Sequence, residues 1–224
     1  MPQELPLAPI AGSWDTALLE PMSELNEQLL DAMRLMALTA PAAAGDGDSD
    51  STQRARPPQL IASLREDWCR LDSAAQRRMA ACPYLLLDAG FGQHERWEPS
   101  VVLGVRERSG AAPLFAGRGG VALVHRTLLL AWHVARSNRL MARVALGMTA
   151  RSAECIAACR LRDLEALAEL SPGWIAPRWE RQPNVWQQLI AAACRNNPAQ
   201  LRVAQLRGLQ LLAGGAGLRV GARG

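Results

Sequence analysis

Two cysteines, three histidines and a pair of arginines are where the residue types of this chain could do chemistry. Cys155 and Cys159 stand four apart in a stretch that reads as helix, so both thiols share one face. A zinc site would want two further ligands, and the chain offers only His94, His125, His133 and three other cysteines, with no CxxC spacing. Two small core side chains on an inward helical face is the reading that the spacing favours. His125 and His133 are eight apart, two turns along a helix, too far to share a metal by themselves. Nucleophilic catalysis would need a Ser or Cys held by a His, and no GxSxG elbow occurs. Gly117-Arg118-Gly119-Gly120 precedes a helical pattern but lacks the Lys-Ser/Thr ending that grips phosphate and magnesium. The expectation is therefore a protein that is not an enzyme, with no catalytic residue, metal or cofactor. Arg160 and Arg162 remain as candidate contacts to phosphate or to a partner.

The elements that must position those arginines run from Leu128 to Leu170. Val121 to Val144 carries apolar residues at three- and four-residue intervals, one buried stripe on a helix. Gly147 suits a left-handed helix end. Thr149 or Ser152 can cap a short second helix, Ala150 to Cys159. Asp163 then suits the N-cap of a third, through Leu164, Leu167, Ala168 and Leu170. Helix, four-residue turn, helix is the layout of a helix-turn-helix, and also of a plain αα-hairpin in a bundle. Reading DNA sequence would need Arg or polar side chains on the exposed side of the second helix. Asp163, Glu165 and Glu169 occupy much of that side instead. Arg160 and Arg162, in the turn, can meet phosphate without reading bases.

This central unit resembles the D subunit of the bacterial flagellar master transcriptional activator. The residues that carry the resemblance are Leu128-Leu129-Leu130-Ala131, Ala142, Leu146-Gly147, Ala153, Ala158, Leu161 and Leu167-Ala168-Glu169, followed by Arg178-Trp179-Glu180. They span roughly a quarter to a third of the chain, and the spacing from Leu128 to Glu169 needs no gap. The resemblance implies a small all-helical regulator that needs a partner for tight DNA binding. It adds Arg178 to the candidate phosphate or partner contacts, and Leu128, Leu146, Leu161 and Leu167 as a candidate helical interface. The family also joins its subunits through a cysteine after the third helix. This chain has none between Gly173 and Asn184, so a covalent dimer is not implied.

The remainder of the chain reads as mainly α, a helical bundle around the helix-turn-helix-like unit. Pro21 to Leu38 forms a helix with Ser23 at its mouth, and residues 1–41 read as an N-terminal arm. Residues 42–58, rich in Gly, Ala, Ser, Asp and Pro, read as a flexible linker, so that the first helix either folds back on the body or serves as a detachable, separable arm. The helical domain covers 59–213. Gln59 to Ala81 is amphipathic and bends near Asp72-Ser73, and Cys82-Pro83 stops it. A short strand or hairpin is expected near 84–105. Trp174 to Trp179 reads as an extended connection. Helices follow at Asn184–Arg195 and Ala199–Leu212, and residues 214–224 read as a disordered tail. The seven Trp are expected to anchor packing.

Composition bounds the function. At 224 residues the chain can bury a core without disulfides. All 25 basic residues are Arg, a bias typical of a GC-rich genome. Residues 1–53 hold nine acids against one Arg, whereas from Arg181 onward there are six Arg and no acid. A basic end attracts phosphate or an acidic protein surface, or is simply a solvated face. The odd cysteine count and the absence of a usual signal peptide point to a reducing compartment, the cytoplasm. No apolar run is long enough to span a membrane. The expected function is a bacterial regulatory or interaction protein, working with a protein partner or as a homo-oligomer. Nucleic acid would be reached through a complex, as in a transcriptional regulator subunit in motility or secretion control. The rival is an accessory or adaptor component of a type III secretion or flagellar export apparatus. An enzyme using Cys155, Cys159 and a His ranks last.

Overall fold

Apolar residues recurring at helical intervals form stripes, and stripes are buried by packing helix against helix. The computed structural model describes residues 16–40, 58–98, 101–102, 118–170 and 172–217. Among these residues the chain forms ten helices: α1 (Thr16–Thr39), α2 (Gln59–Ser63), α3 (Arg65–Arg70), α4 (Ser73–Ala80), α5 (Arg118–Ser137), α6 (Arg139–Val144), α7 (Ala150–Ala158), α8 (Leu161–Leu170), α9 (Pro183–Cys194) and α10 (Pro198–Gly217). Two-residue strands, β1 (Leu87–Asp88) and β2 (Ala176–Pro177), make the single small sheet described. The protein is mainly α, a helical bundle built on one hydrophobic core.

Long α5 is the axis, packing on α1, α7 and α8. A second layer joins α1 to α3 and α4, and these in turn to α9, with α10 folded back on α9. Trp68 of α3 meets Trp186 of α9 at a centroid distance of 5.5 Å, sealing that layer. Trp97 lies between Phe91 and Trp174, at 6.1 and 5.7 Å. These tryptophans anchor packing, as their scatter along helix faces and connections suggests.

Several boundaries differ from the sequence expectation, each for a local reason. The helix read from Val121 to Val144 is two, because the Asn138 side chain caps a new start by accepting the Met141 N–H at 3.0 Å. Asp72 does the same for α4, accepting from Ala75 N at 2.6 Å, and a further break falls at Leu64. α1 begins before Pro21, so Ser23 is interior rather than a cap. α10 continues to Gly217, past the expected end of the domain, and 218–224 lie outside the described residues. β1 is the short strand expected in 84–105, but its partner is not a local hairpin. Leu87 pairs with Pro177 and Asp88 with Ala176, antiparallel, across some ninety residues of chain.

The N-terminal helix folds back on the body. Leu29, Leu30 and Met33 are fully buried, and so is Asn26. The Asn26 amide donates to the carbonyls of Ala80 and Tyr84, both at 3.0 Å, and accepts the Leu86 N–H at 2.7 Å. Arg65 donates to the carbonyls of Ala37 and Ala40 at 3.1 and 2.8 Å, closing the C-terminal end of α1. Stripping α1 away would leave buried polar groups unpaired and expose a leucine-rich stripe. The linker expected at 42–58 lies outside the described residues apart from Pro58.

Candidate functional site

The corner between α7 and α8 is positioned from both ends by the rules that the sequence displays. Gly147 has φ +68°, the left-handed conformation expected after α6. Thr149 caps α7, its hydroxyl accepting the Ser152 N–H at 3.0 Å. The expected four-residue turn is shorter, since only Cys159 and Arg160 separate the two helices. Asp163 is not the N-cap. It lies inside the first turn of α8, and its carboxylate accepts the Arg160 N–H at 3.3 Å. Trp132 of α5 holds the turn from beneath, donating its indole N–H to the Cys159 carbonyl at 2.9 Å.

Arg160 and Arg162 are exposed at this corner, and Arg151 of α7 joins them around a cavity of about 470 Å3. Arg151 pairs with Glu154 at 3.6 Å, both in solvent, and Arg162 with Asp163 at 3.7 Å, the arginine exposed and the carboxylate half-buried. Exposed pairs of this kind hold little energy and release their cation easily to a stronger anion. Arg160 has no ion pair among the described residues. Neither helix pattern nor turn spacing singled out Arg151. The i, i+9 relation to Arg160 across a bend is visible only once the two helices meet.

Cys155 and Cys159 line the same cavity, half-buried against the core rather than within it. The Cys159 thiol donates to the Cys155 carbonyl at 3.3 Å. Burial, with Asp163 nearby, pushes its pKa up to about 11. A thiol held protonated is a poor nucleophile at neutral pH. All five cysteines are free. His125 and His133 lie on α5, and among the described residues no three His, Cys, Asp or Glu side chains gather as a metal would require.

Arg178 is not a surface contact. It is buried at 6% exposure, directly below the loop that follows α6. Its Nε donates to the Leu85 carbonyl, and one terminal nitrogen donates to the Leu146 carbonyl at 2.6 Å. Asp88 lies 3.8 Å from the other terminal nitrogen, and the Phe91 ring faces the guanidinium at 5.7 Å. Burial lowers its pKa while Asp88 counters part of that. A fork with five donors ties the chain around Arg178 to two distant segments at once, which a point-charge ammonium would not.

The expected helical interface divides in the same way. Leu128, Leu146 and Leu167 are 0–1% exposed and belong to the protein's own core, so they offer nothing to a partner. Leu161, at 46%, remains available. The residues that carry the family resemblance are thus mostly packing positions: Ala131, Ala142, Ala153 and Ala168 are buried with the leucines, while Ala158 and Glu169 face solvent. No protein-family model matches the chain, and neither does any curated protein or solved structure. Among the described residues no helix is long and apolar enough to cross a membrane.

Proposed function

We propose that the protein is a non-enzymatic interaction component of a bacterial cytoplasmic regulatory assembly, meeting an anionic partner surface at the α7–α8 corner. One observation carries this reading: Arg151, Arg160 and Arg162 line a single cavity, beside Glu154 and Asp163, and Arg160 makes no ion pair among the described residues. Together with the resemblance to the flagellar activator's D subunit, it supports a transcriptional regulator subunit in motility or secretion control. In that role the corner holds phosphate, and sequence reading belongs to a partner.

A second reading is favoured by the outer face of α8. Glu165 and Glu169 are exposed there, beside the arginines, and would repel a phosphate backbone laid along the helix. That mixed surface suits a protein, as in an accessory component of a type III secretion or flagellar export apparatus. A salt titration of DNA binding by wild type and the Arg160→Ala, Arg162→Ala double variant, with and without cell extract, separates the two. The regulator reading expects binding that weakens with salt, and a slope reduced by roughly one contact for each arginine lost. No salt-sensitive DNA binding under either condition overturns it and leaves the secretion reading.

A further inference from the structure

Two surfaces far from the α7–α8 corner carry opposite charge and the same unusual composition. On α1, Glu20, Glu24, Glu27 and Asp31 follow one another at intervals of four, three and four residues. The same line continues, at four and three, into Leu35 and Leu38, which are 61% and 51% exposed. Six side chains therefore share one outer stripe, turned away from the face that α1 buries. None of the four acids forms an ion pair among the described residues. Asp31 accepts only from Gln76, at 2.6 Å.

The second surface is the α9–α10 hairpin. α10 buries Leu201, Ala204 and Leu212 yet leaves Val203 and Leu206 67% and 52% exposed. Arg202 and Arg207 flank that apolar pair on either side of the helix, and Arg195 stands at the hairpin turn. Arg195 and Arg207 are held by neutral partners, Gln200 at 3.3 Å and Gln188 at 2.9 Å. A groove of about 890 Å3 runs beside them, floored by Ile190, Ala191 and Ala199. Among the described residues the one acid lining it is Asp67, which is already paired with Arg70 at 3.6 Å.

Among the described residues each surface thus lacks what the other displays: one holds carboxylates without an ion pair and two bare leucines, the other guanidiniums without an ion pair and two bare aliphatics. We infer that the partner of the α9–α10 face is a second copy of this chain, presenting the outer stripe of its α1. Leucines meet Val203 and Leu206 at the centre of the contact, and carboxylates meet Arg195, Arg202 and Arg207 around it. Apolar burial supplies the attraction, and the charges set register and exclude copies docked face to like face. Because the two faces differ, the contact closes, as a two-fold dimer or a cyclic ring, only if the rotation between copies brings the last face back to the first. Otherwise it propagates head to tail. This inference uses neither Arg160 nor Arg162 and stands apart from the function proposed above.

The test is the mass of the full-length protein by light scattering and sedimentation across concentration and salt. Wild type is expected to self-associate, and more weakly as salt screens the charges around the apolar centre. Glu20→Arg with Glu24→Arg should weaken association by about tenfold or more, and so should Arg202→Glu with Arg207→Glu, since each juxtaposes like charges. All four residues are exposed, and circular dichroism checks that the variants stay folded. Mixing the two double variants restores opposite charges across the contact, and a one-to-one complex is expected. A closed dimer and a longer ladder both support the inference. A wild-type monomer at every concentration and salt overturns it, as does unaltered association of either variant. A monomer that binds a synthetic acidic amphipathic helix at the α9–α10 groove also overturns it, assigning that face to a foreign protein.

Discussion

Arg178 and the Arg160–Arg162 pair are the same residue type put to opposite use. Arg178 is enclosed by main-chain carbonyls of Leu85 and Leu146 and joins three segments that share no local order. Arg160, in the two-residue turn, and Arg162, in the first turn of α8, project into solvent. Inward arginines recur elsewhere in the fold. Arg65 closes the end of α1, Arg78 donates twice to the Ala193 carbonyl near the end of α9, and Arg96 donates to the Trp174 carbonyl at 2.8 Å. A guanidinium satisfies the free carbonyls that a helix end leaves behind, and its charge suits the negative end of the helix dipole. A high Arg content is therefore partly internal wiring. Only the arginines left over from it are candidates for partners.

The largest effect that sharpens this contrast is expected at Arg178. Replacing it with Ala removes two charge-assisted bonds and should cost about 3–5 kcal/mol in denaturant unfolding. Lys should recover little of the loss, since it cannot hold both carbonyls in one plane. A cost below about 1 kcal/mol would show that the clamp is ornamental and the contrast false.

Leu167→Ala should cost about 2–5 kcal/mol, because its side chain is 1% exposed between α8 and α5. If it were instead part of a partner surface, association would change and the stability of the isolated chain would not. Gly208→Ala should cost about 1–3 kcal/mol through overpacking, as a Cβ there would run into the Tyr84 ring and hydroxyl. Relief of that loss by Tyr84→Phe would identify the hydroxyl as the obstacle.

Alkaline pH separates the two regions by their thiols. Burial pushes Cys82, beside Tyr84 near the clamp, up from 9.0 to about 12, whereas half-buried Cys159 at the corner reaches about 11. The unfolded chain releases these protons first, so stability is unaffected below about pH 9 and falls as pH rises from there toward the folded values. Cys82→Ala should flatten more of that decline than Cys159→Ala, and Tyr84, whose pKa burial also raises, sustains much of the rest. Equal effects from both would mean the corner is as enclosed as the clamp. The smallest change is expected from Arg160→Ala with Arg162→Ala, within about 0.5 kcal/mol in stability, because exposed charges contribute little. A larger loss in thermal unfolding would place those side chains in the wiring as well.

Much of this architecture is written in local pattern. Apolar spacing in Ala150–Ala158 and Leu161–Leu170, a glycine at Gly147 and a hydroxyl at Thr149 specify helices, their ends and their buried faces, because those preferences act within a turn or two of chain. Single side-chain caps such as Asn138 are as local, yet they hide inside a continuous apolar period and divide one expected helix into two. What the local pattern could not contain is which distant segments meet. The pairing of Leu87 with Pro177, the seat of α1 against α4, and the burial of Arg178 rather than Arg160 depend on contacts many tens of residues apart. An arginine looks the same in sequence whether carbonyls or water will surround it. Its role is decided when packing has determined where the unpaired carbonyls lie, since burying either without the other costs more than the fold can spare.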